Sequence, residues 1–141
     1  MANVVHHIGF NCRDRIAQER FYTRHFGFRR VRVFNAGEPG EFVMTALGEV
    51  RVEFFGAANP GPSDRGGERK VGFKHMCIGV PDVKAKAAAL KAAGVDVDPV
   101  IDCTHQVPGL YVCFFRDPEG NVVELMQGWQ DEEAPPALPR A

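Results

Sequence analysis

Short runs rich in β-branched and aromatic residues recur along the chain at VVHHIGFN (4–11), FRRVRVFN (28–35), EFVMTAL (41–47) and VRVEFF (50–55). They return at VGFKHMCIGV (71–80), VDVDPVI (95–101), LYVCFFR (110–116) and NVVELMQ (121–127). Runs of this length, bounded by Gly, Pro, Asn and Asp, predict strands. After the first run of each set the period changes. Asp14 caps a predicted helix over RIAQERFYTRHF, with Ala17–Phe21 and Tyr22–Phe26 as i,i+4 apolar pairs and Gly27 as its stop. Pro81-Asp82 opens an Ala/Lys-rich helix to Ala93, closed by Gly94. The turns are AGEPG, Gly48-Glu49 and Asp117-Pro118-Glu119-Gly120, the last with Pro second and Gly fourth as a hairpin turn prefers.

The order therefore repeats: strand, helix, three strands, twice. His7 precedes the cap Asp14 by seven residues, and His75 precedes the cap Asp82 by seven. The last strand of each half carries one glutamate, Glu53 and Glu124, and the two pairs are offset by 68 and 71 residues. A duplicated unit of about 70 residues is the economical reading. Module one is expected at 4–56 and module two at 71–128. Residues 57–70, rich in Gly, Pro and Ser, read as a linker, and 129–141 as a disordered tail.

Candidate chemistry follows from which residues share a face. Val122, Glu124 and Met126 point one way, and Val123 and Leu125 the other, so this strand is expected to be covered on both sides. A carboxylate there needs an Arg, a proton or a metal ion as partner. His7 shares its face with Val5 and Gly9, and His75 with Phe73, Cys77 and Gly79. Small neighbours leave room for a ligand beside each imidazole. His6 falls with Ile8 and Phe10 and reads as a hydrogen-bonded structural histidine. Glu53 has Arg51 two residues away as an ordinary ion-pair partner. His25 lies near a helix C-terminus, where a cation is favoured. His105 sits in a loop that could overhang a site. Arg29-Arg30 and Arg65/Arg69/Lys70 read as solvated groups that could also meet an anionic substrate tail.

Composition narrows the class. The chain has 141 residues, 45% of them hydrophobic, and a formal net charge of -1. That length suits one domain with a sizeable core. The balanced charge points away from nucleic-acid and membrane-surface partners. No apolar run approaches the roughly 18 residues of a membrane-spanning helix, and the first ten residues lack a signal peptide's pattern. Cys12, Cys77, Cys103 and Cys113 form no C-x-x-C pair and are expected as free thiols in the cytoplasm.

HHIGFNCRD, FYTRHFGF, VRVEFF, GFKHMCIGVPDV and FRDPEGNVVEL together resemble the vicinal-oxygen-chelate superfamily of glyoxalases, bleomycin-resistance proteins and extradiol dioxygenases. The resemblance implies an α+β fold of two βαβββ modules in a curled mixed sheet around one divalent metal. Matched residue by residue, it implies His7, Glu53, His75 and Glu124 as metal ligands, with Glu124 and Glu53 as candidate catalytic bases. Such a nitrogen/oxygen donor set suits Ni, Zn, Co, Mn or Fe. The implied activity is a glyoxalase-like lyase, isomerase or epimerase that transfers a proton next to a carbonyl of a small molecule, in a homodimer. The alternatives are an Fe(II) extradiol-type dioxygenase and a non-catalytic binding or resistance protein. Asn11 and His105 are the expected substrate contacts. Where glutathione-using members carry Arg and Asn, this chain has Asn11 and Ala57, so a substrate other than the glutathione adduct is expected.

Overall fold

The two strand–helix–three-strand runs fold as two separate mixed sheets in a computed structural model, which describes residues 2–58, 61 and 71–139. The first run is β1 (His7–Cys12), α1 (Arg15–Phe26), β2 (Arg29–Phe34), β3 (Phe42–Leu47) and β4 (Val50–Gly56). The second is β5 (Met76–Gly79), α2 (Val83–Ala92), β6 (Ile101–Asp102), β7 (Tyr111–Arg116) and β8 (Val122–Gln127). Each sheet has four strands, in the orders β1-β4-β3-β2 and β5-β8-β7-β6. In each the first strand pairs in parallel with the last.

This corrects the expectation of one curled sheet. The two sheets are neither curled into a cup nor closed. The first keeps β1 and β2 as edges, and the second keeps β5 and β6. Closure needs strands long and numerous enough to match tilt and stagger. Four strands are few, and β6 has only two residues, supplemented by an isolated bridge from Val97 to Phe115. The Pro99 inside VDVDPVI removes a ladder donor and explains why that predicted strand is so short.

The helices begin where their caps require. The Asp14 carboxylate accepts from the Ala17 N–H at 2.9 Å, and the Asp82 carboxylate from the Ala85 N–H at 3.0 Å. Gly27, at φ 75°, ends α1 in the left-handed conformation that glycine adopts without a Cβ clash.

The chain divides into two compact units: residues 1–75 with 116–122, and residues 76–115 with 123–141. In the first, Phe10 and Tyr22 pack on Phe54, with ring centroids 6.0 and 5.6 Å from it. The Asp117 carboxylate is buried and accepts from Gln18 Nε2 at 2.7 Å, Tyr22 Oη at 2.8 Å and Asn121 Nδ2 at 2.9 Å. It also accepts from the backbone N–H groups of Glu119 at 3.0 Å and Asn121 at 2.9 Å. Burial and Asp117 together raise the Tyr22 phenol well above its ordinary pKa, so it stays a donor. In the second unit, Val83, Ala87 and Leu90 of α2 are buried at i, i+4, i+7 spacing.

Residues 129–139 form no helix or strand. Most of the expected linker, including Arg65, Arg69 and Lys70, lies outside the described residues. Among the described residues no helix is long and apolar enough to cross a membrane. All four cysteines are free thiols.

Candidate functional site

β1 alternates as the sequence predicts. Cys12 is buried and Ile8 and Phe10 are half-buried on one face, whereas His7, Gly9 and Asn11 are exposed on the other. Parallel pairing places Gly9 opposite Glu53 of β4. His7, two residues back on the same face, then reaches Glu53 across the strand pair. His7 Nε2 lies 2.9 Å from Glu53 Oε1. The carboxylate is buried, with 10% of its side chain exposed, while His7 keeps 44%, so the pair opens to solvent on the imidazole side. Arg51, the ordinary partner considered for Glu53, instead donates to the Gly48 carbonyl at 3.3 Å.

The second repeat reproduces that register. Cys77 of β5 stands opposite Glu124 of β8, and His75 lies two residues before Cys77, as His7 lies two before Gly9. His75 is half-buried and precedes β5, which begins at Met76, not at Val71 as the sequence predicts. β8 is buried on one face and half-buried on the other. Val123 and Leu125 are buried, and Val122, Glu124 and Met126 are half-buried. The expected cover is thus complete on one face and partial on the other. Burial first, then Glu124, push the Cys77 thiol up to about 11.

Other expected contacts are spread out. Asn11 is exposed beyond Gly9 on β1, level with Phe55. Ala57 follows β4 and donates its N–H to the Cys12 carbonyl at 2.8 Å. His105 is exposed in the 103–109 loop of the second unit. His25 is half-buried in the last turn of α1. Arg30 is no bare solvated cation: it forks onto Glu19, with Nη2 2.9 Å from Oε2, and that pairing raises its pKa.

One feature near the first pair escaped the sequence reading. Phe34, Phe42 and Phe55 stack in a row, with centroids 4.4 and 4.6 Å apart and planes within 8° and 22°. Pairing of Phe34 with Phe42, and of Met44 with Glu53, sets this row on the Glu53 face of the sheet. Gly9 borders it, since a Cβ there would stand 3.5 Å from the Phe55 ring. The signal was present in the even spacing of Phe42, Met44 and Ala46, but registers between strands are not written in any one of them.

The His7–Glu53 pair combines one nitrogen and one oxygen donor. Two donors each about 2.1 Å from a shared ion lie about 3.0 Å apart at octahedral angles and about 3.4 Å apart at tetrahedral ones. The 2.9 Å between His7 Nε2 and Glu53 Oε1 matches the first and is equally a hydrogen-bond distance. Among the described residues, however, no three His, Cys, Asp or Glu side chains gather closely enough to complete a set. What each repeat supplies is one His and one Glu in the same register.

A family model described as Glyoxalase/Bleomycin resistance protein/Dioxygenase superfamily matches residues 4–125. The chain belongs to this superfamily. It is 31% identical over 120 residues to a Vibrio parahaemolyticus protein named "Probable lactoylglutathione lyase", covering 79% of this chain and 80% of that one. A crystal structure of a glyoxalase family protein from Enterococcus faecalis is 25% identical, with a TM-score of 0.70 over 87% of this chain and 96% of its own. A lactoylglutathione lyase from Agrobacterium tumefaciens is also 25% identical, with a TM-score of 0.63 over 90% and 95%.

Proposed function

We propose that this protein is a divalent-metal-dependent glyoxalase-like enzyme that moves a proton at a carbon next to a carbonyl of a small molecule. The observation that carries this reading is the His7–Glu53 contact at 2.9 Å, repeated in register by Cys77 opposite Glu124. His7 and Glu53 are the proposed ligands in the first repeat, and His75 and Glu124 in the second. A divalent ion held there would supply Lewis-acid polarisation of the substrate's carbonyl.

The chain's own residues do the rest. Glu53 is held by His7 in a buried position, which orients one carboxylate oxygen and shields it from bulk water. A carboxylate so placed can accept the substrate's proton and return it to a neighbouring atom. Glu124 is the second candidate base. The half-buried Phe34–Phe42–Phe55 row offers flat apolar surface on the Glu53 face, suited to the carbon skeleton of a substrate. Asn11 and His105 are proposed substrate contacts, and a homodimer is the proposed assembly.

The test begins with metal content. Wild-type protein purified without a chelating tag is expected to hold about one divalent ion per chain, and His7→Ala and His75→Ala to hold much less. Activity is then assayed in deuterated water with the methylglyoxal–glutathione hemithioacetal, α-keto acids and acyl thioesters. Solvent deuterium should enter a substrate and be lost in Glu53→Gln or Glu124→Gln. Equal metal in wild type and both alanine variants would sink the ligand assignment. Oxygen uptake with Fe(II) and a catechol would sink the reaction class.

A further inference from the structure

The face of the first sheet that carries Glu53 is laid out as two rows. Pairing of Arg32 with Met44, and of Met44 with Glu53, sets a guanidinium, a thioether and a carboxylate in line across β2, β3 and β4. Two residues along each strand runs the second row, the stacked Phe34, Phe42 and Phe55. The opposite face is core: Val43, Thr45, Val52 and Phe54 are at most 1% exposed. The phenyl rings of the row are only half-buried, so aromatic surface stays within reach of solvent, as at binding sites. Arg32 is exposed, with Cζ 5.8 Å from the Phe34 ring centroid, which is cation–π range. Among the described residues it has no carboxylate partner, whereas Arg15 and Arg30 are taken by Glu41 and Glu19.

We infer that this face takes an aromatic acid: a planar ring lies on the phenyl row and its acid group pairs with Arg32. The inference names the substrate class for the proton transfer proposed above and rests on that reading for its chemistry, while the binding stands without it. Rings with centroids 4.4 and 4.6 Å apart and nearly parallel planes cover one another's faces, so the row turns ring edges outward. The edge of a phenyl ring is the positive part of its quadrupole. A second ring laid across the row sets its negative face on those edges, a gain that a saturated skeleton of equal area does not share. The guanidinium fork then selects an oxyanion at one end of that ring. Two strand spacings, about 10 Å, separate Arg32 from Glu53 at the backbone. One or two fused rings span that distance with the acid group at Arg32 and the reacting carbonyl at Glu53. Gly9, opposite Glu53, adds no side chain to obstruct that end.

The test measures binding to metal-free protein, so it needs neither a metal nor turnover. Naphthoate carries ring and charge, naphthalenemethanol the ring alone, and cyclohexanecarboxylate the charge alone. Titrations followed by ligand NMR line broadening should place naphthoate about 5-fold or more above each of the others. Arg32→Gln should weaken naphthoate about 3- to 10-fold and leave the neutral alcohol unchanged. Phe42→Leu breaks the middle of the row, and should weaken both naphthyl probes about 3- to 10-fold while sparing the cyclohexane acid. Arg32→Gln changes an exposed residue, so it carries the test alone if Phe42→Leu folds poorly. Naphthoate bound as in wild type by folded Arg32→Gln or folded Phe42→Leu overturns the inference, as does cyclohexanecarboxylate binding as tightly as naphthoate. So does wild-type protein that takes no probe while Phe42→Leu lowers its sedimentation mass, for the row is then an interface between copies. Naphthoate binding that holds without metal uptake or deuterium exchange sinks the proposed reaction alone. Metal uptake and exchange with no preference for aryl substrates sinks this inference alone.

Discussion

The two repeats share an element order, a pair of aspartate caps and a His/Glu register, yet they are held together differently. Helix α1 buries Gln18, Glu19 and Tyr22. Its buried side is wired by polar contacts: Gln18 and Tyr22 to Asp117, and Glu19 to Arg30. Helix α2 buries Val83, Ala87 and Leu90, an ordinary apolar stripe. The sites differ in the same sense. Opposite Glu53 stands Gly9, which leaves the carboxylate to His7. Opposite Glu124 stands Cys77, which brings a thiol to that register position. The repeat is thus conserved in backbone register and free in what fills it. Ordering by hydrogen bonds demands a complete partner set, because any orphaned member costs more than an absent one. Packing by methyl groups degrades more gradually.

The largest effects should come from breaking each helix in its own currency. Asp117→Ala leaves Gln18 and Tyr22 buried without their shared acceptor, and should cost about 3–5 kcal/mol. Leu90→Ala opens a cavity under α2 and should cost about 2–5 kcal/mol. Tyr22→Phe against Ala87→Gly then sharpens the contrast, since the first removes one hydroxyl and the second one methyl. Urea unfolding of the four variants measures all of this. A near-neutral Asp117→Ala would show that the wiring of α1 does not stabilise it.

The caps should be equal. Asp14→Ala and Asp82→Ala each remove one carboxylate from the first turn, and each should cost about 1 kcal/mol. Asp14 has one extra feature, since its own backbone N–H donates to Glu119 Oε1 at 2.9 Å. That bond survives the substitution, so the equality is a fair test of whether the caps are interchangeable. A difference of more than about 1 kcal/mol between them, by the same unfolding curves, would break the analogy between the helices.

These caps were legible in the sequence because capping is local: an aspartate three residues before an amide it can reach. Strand faces were legible for the same reason, and β1 alternates as read. The role of Asp117 was not. The turn DPEG was plain, but its aspartate is anchored by Gln18 and Tyr22 nearly a hundred residues earlier. No local pattern records that meeting. The form of the sheets was missed too, because element order does not say whether strands curl, and β6 is shorter than its apolar run suggests. For the candidate site, His7 and Glu53 were placed by alternation and repeat, whereas their 2.9 Å contact needed the β1–β4 register. The exposure of His6 was hidden because β1 starts one residue later, at His7.

The smallest expected effect tests the Gly9/Cys77 difference directly. Cys77 is an exposed residue in β5, so its accessibility alone suggests a thiol that alkylates readily. Its pKa is nevertheless pushed from 9.0 to about 11, by burial of the thiol first and by the Glu124 carboxylate second. The sign follows from which form is disfavoured. The neutral thiol is favoured by the fold, so its contribution to stability is fully present below pH 9.0 and is lost as pH rises through about 11. The reactive thiolate should likewise appear late. Iodoacetamide modification of Cys77 in metal-free folded protein, followed by mass spectrometry of the peptide, should rise with a midpoint near 11 where an unperturbed thiol would rise near 9.0. Glu124→Gln removes the second cause and leaves the first, so the midpoint should fall part of the way and the rate at about pH 8.5 should increase a few-fold. A Glu53→Gln variant has no thiol opposite the substituted residue and should leave the Cys77 profile where it was. If Glu124→Gln also left it there, the Cys77–Glu124 register would not carry the coupling, and the second repeat would differ from the first by more than the residue facing its glutamate.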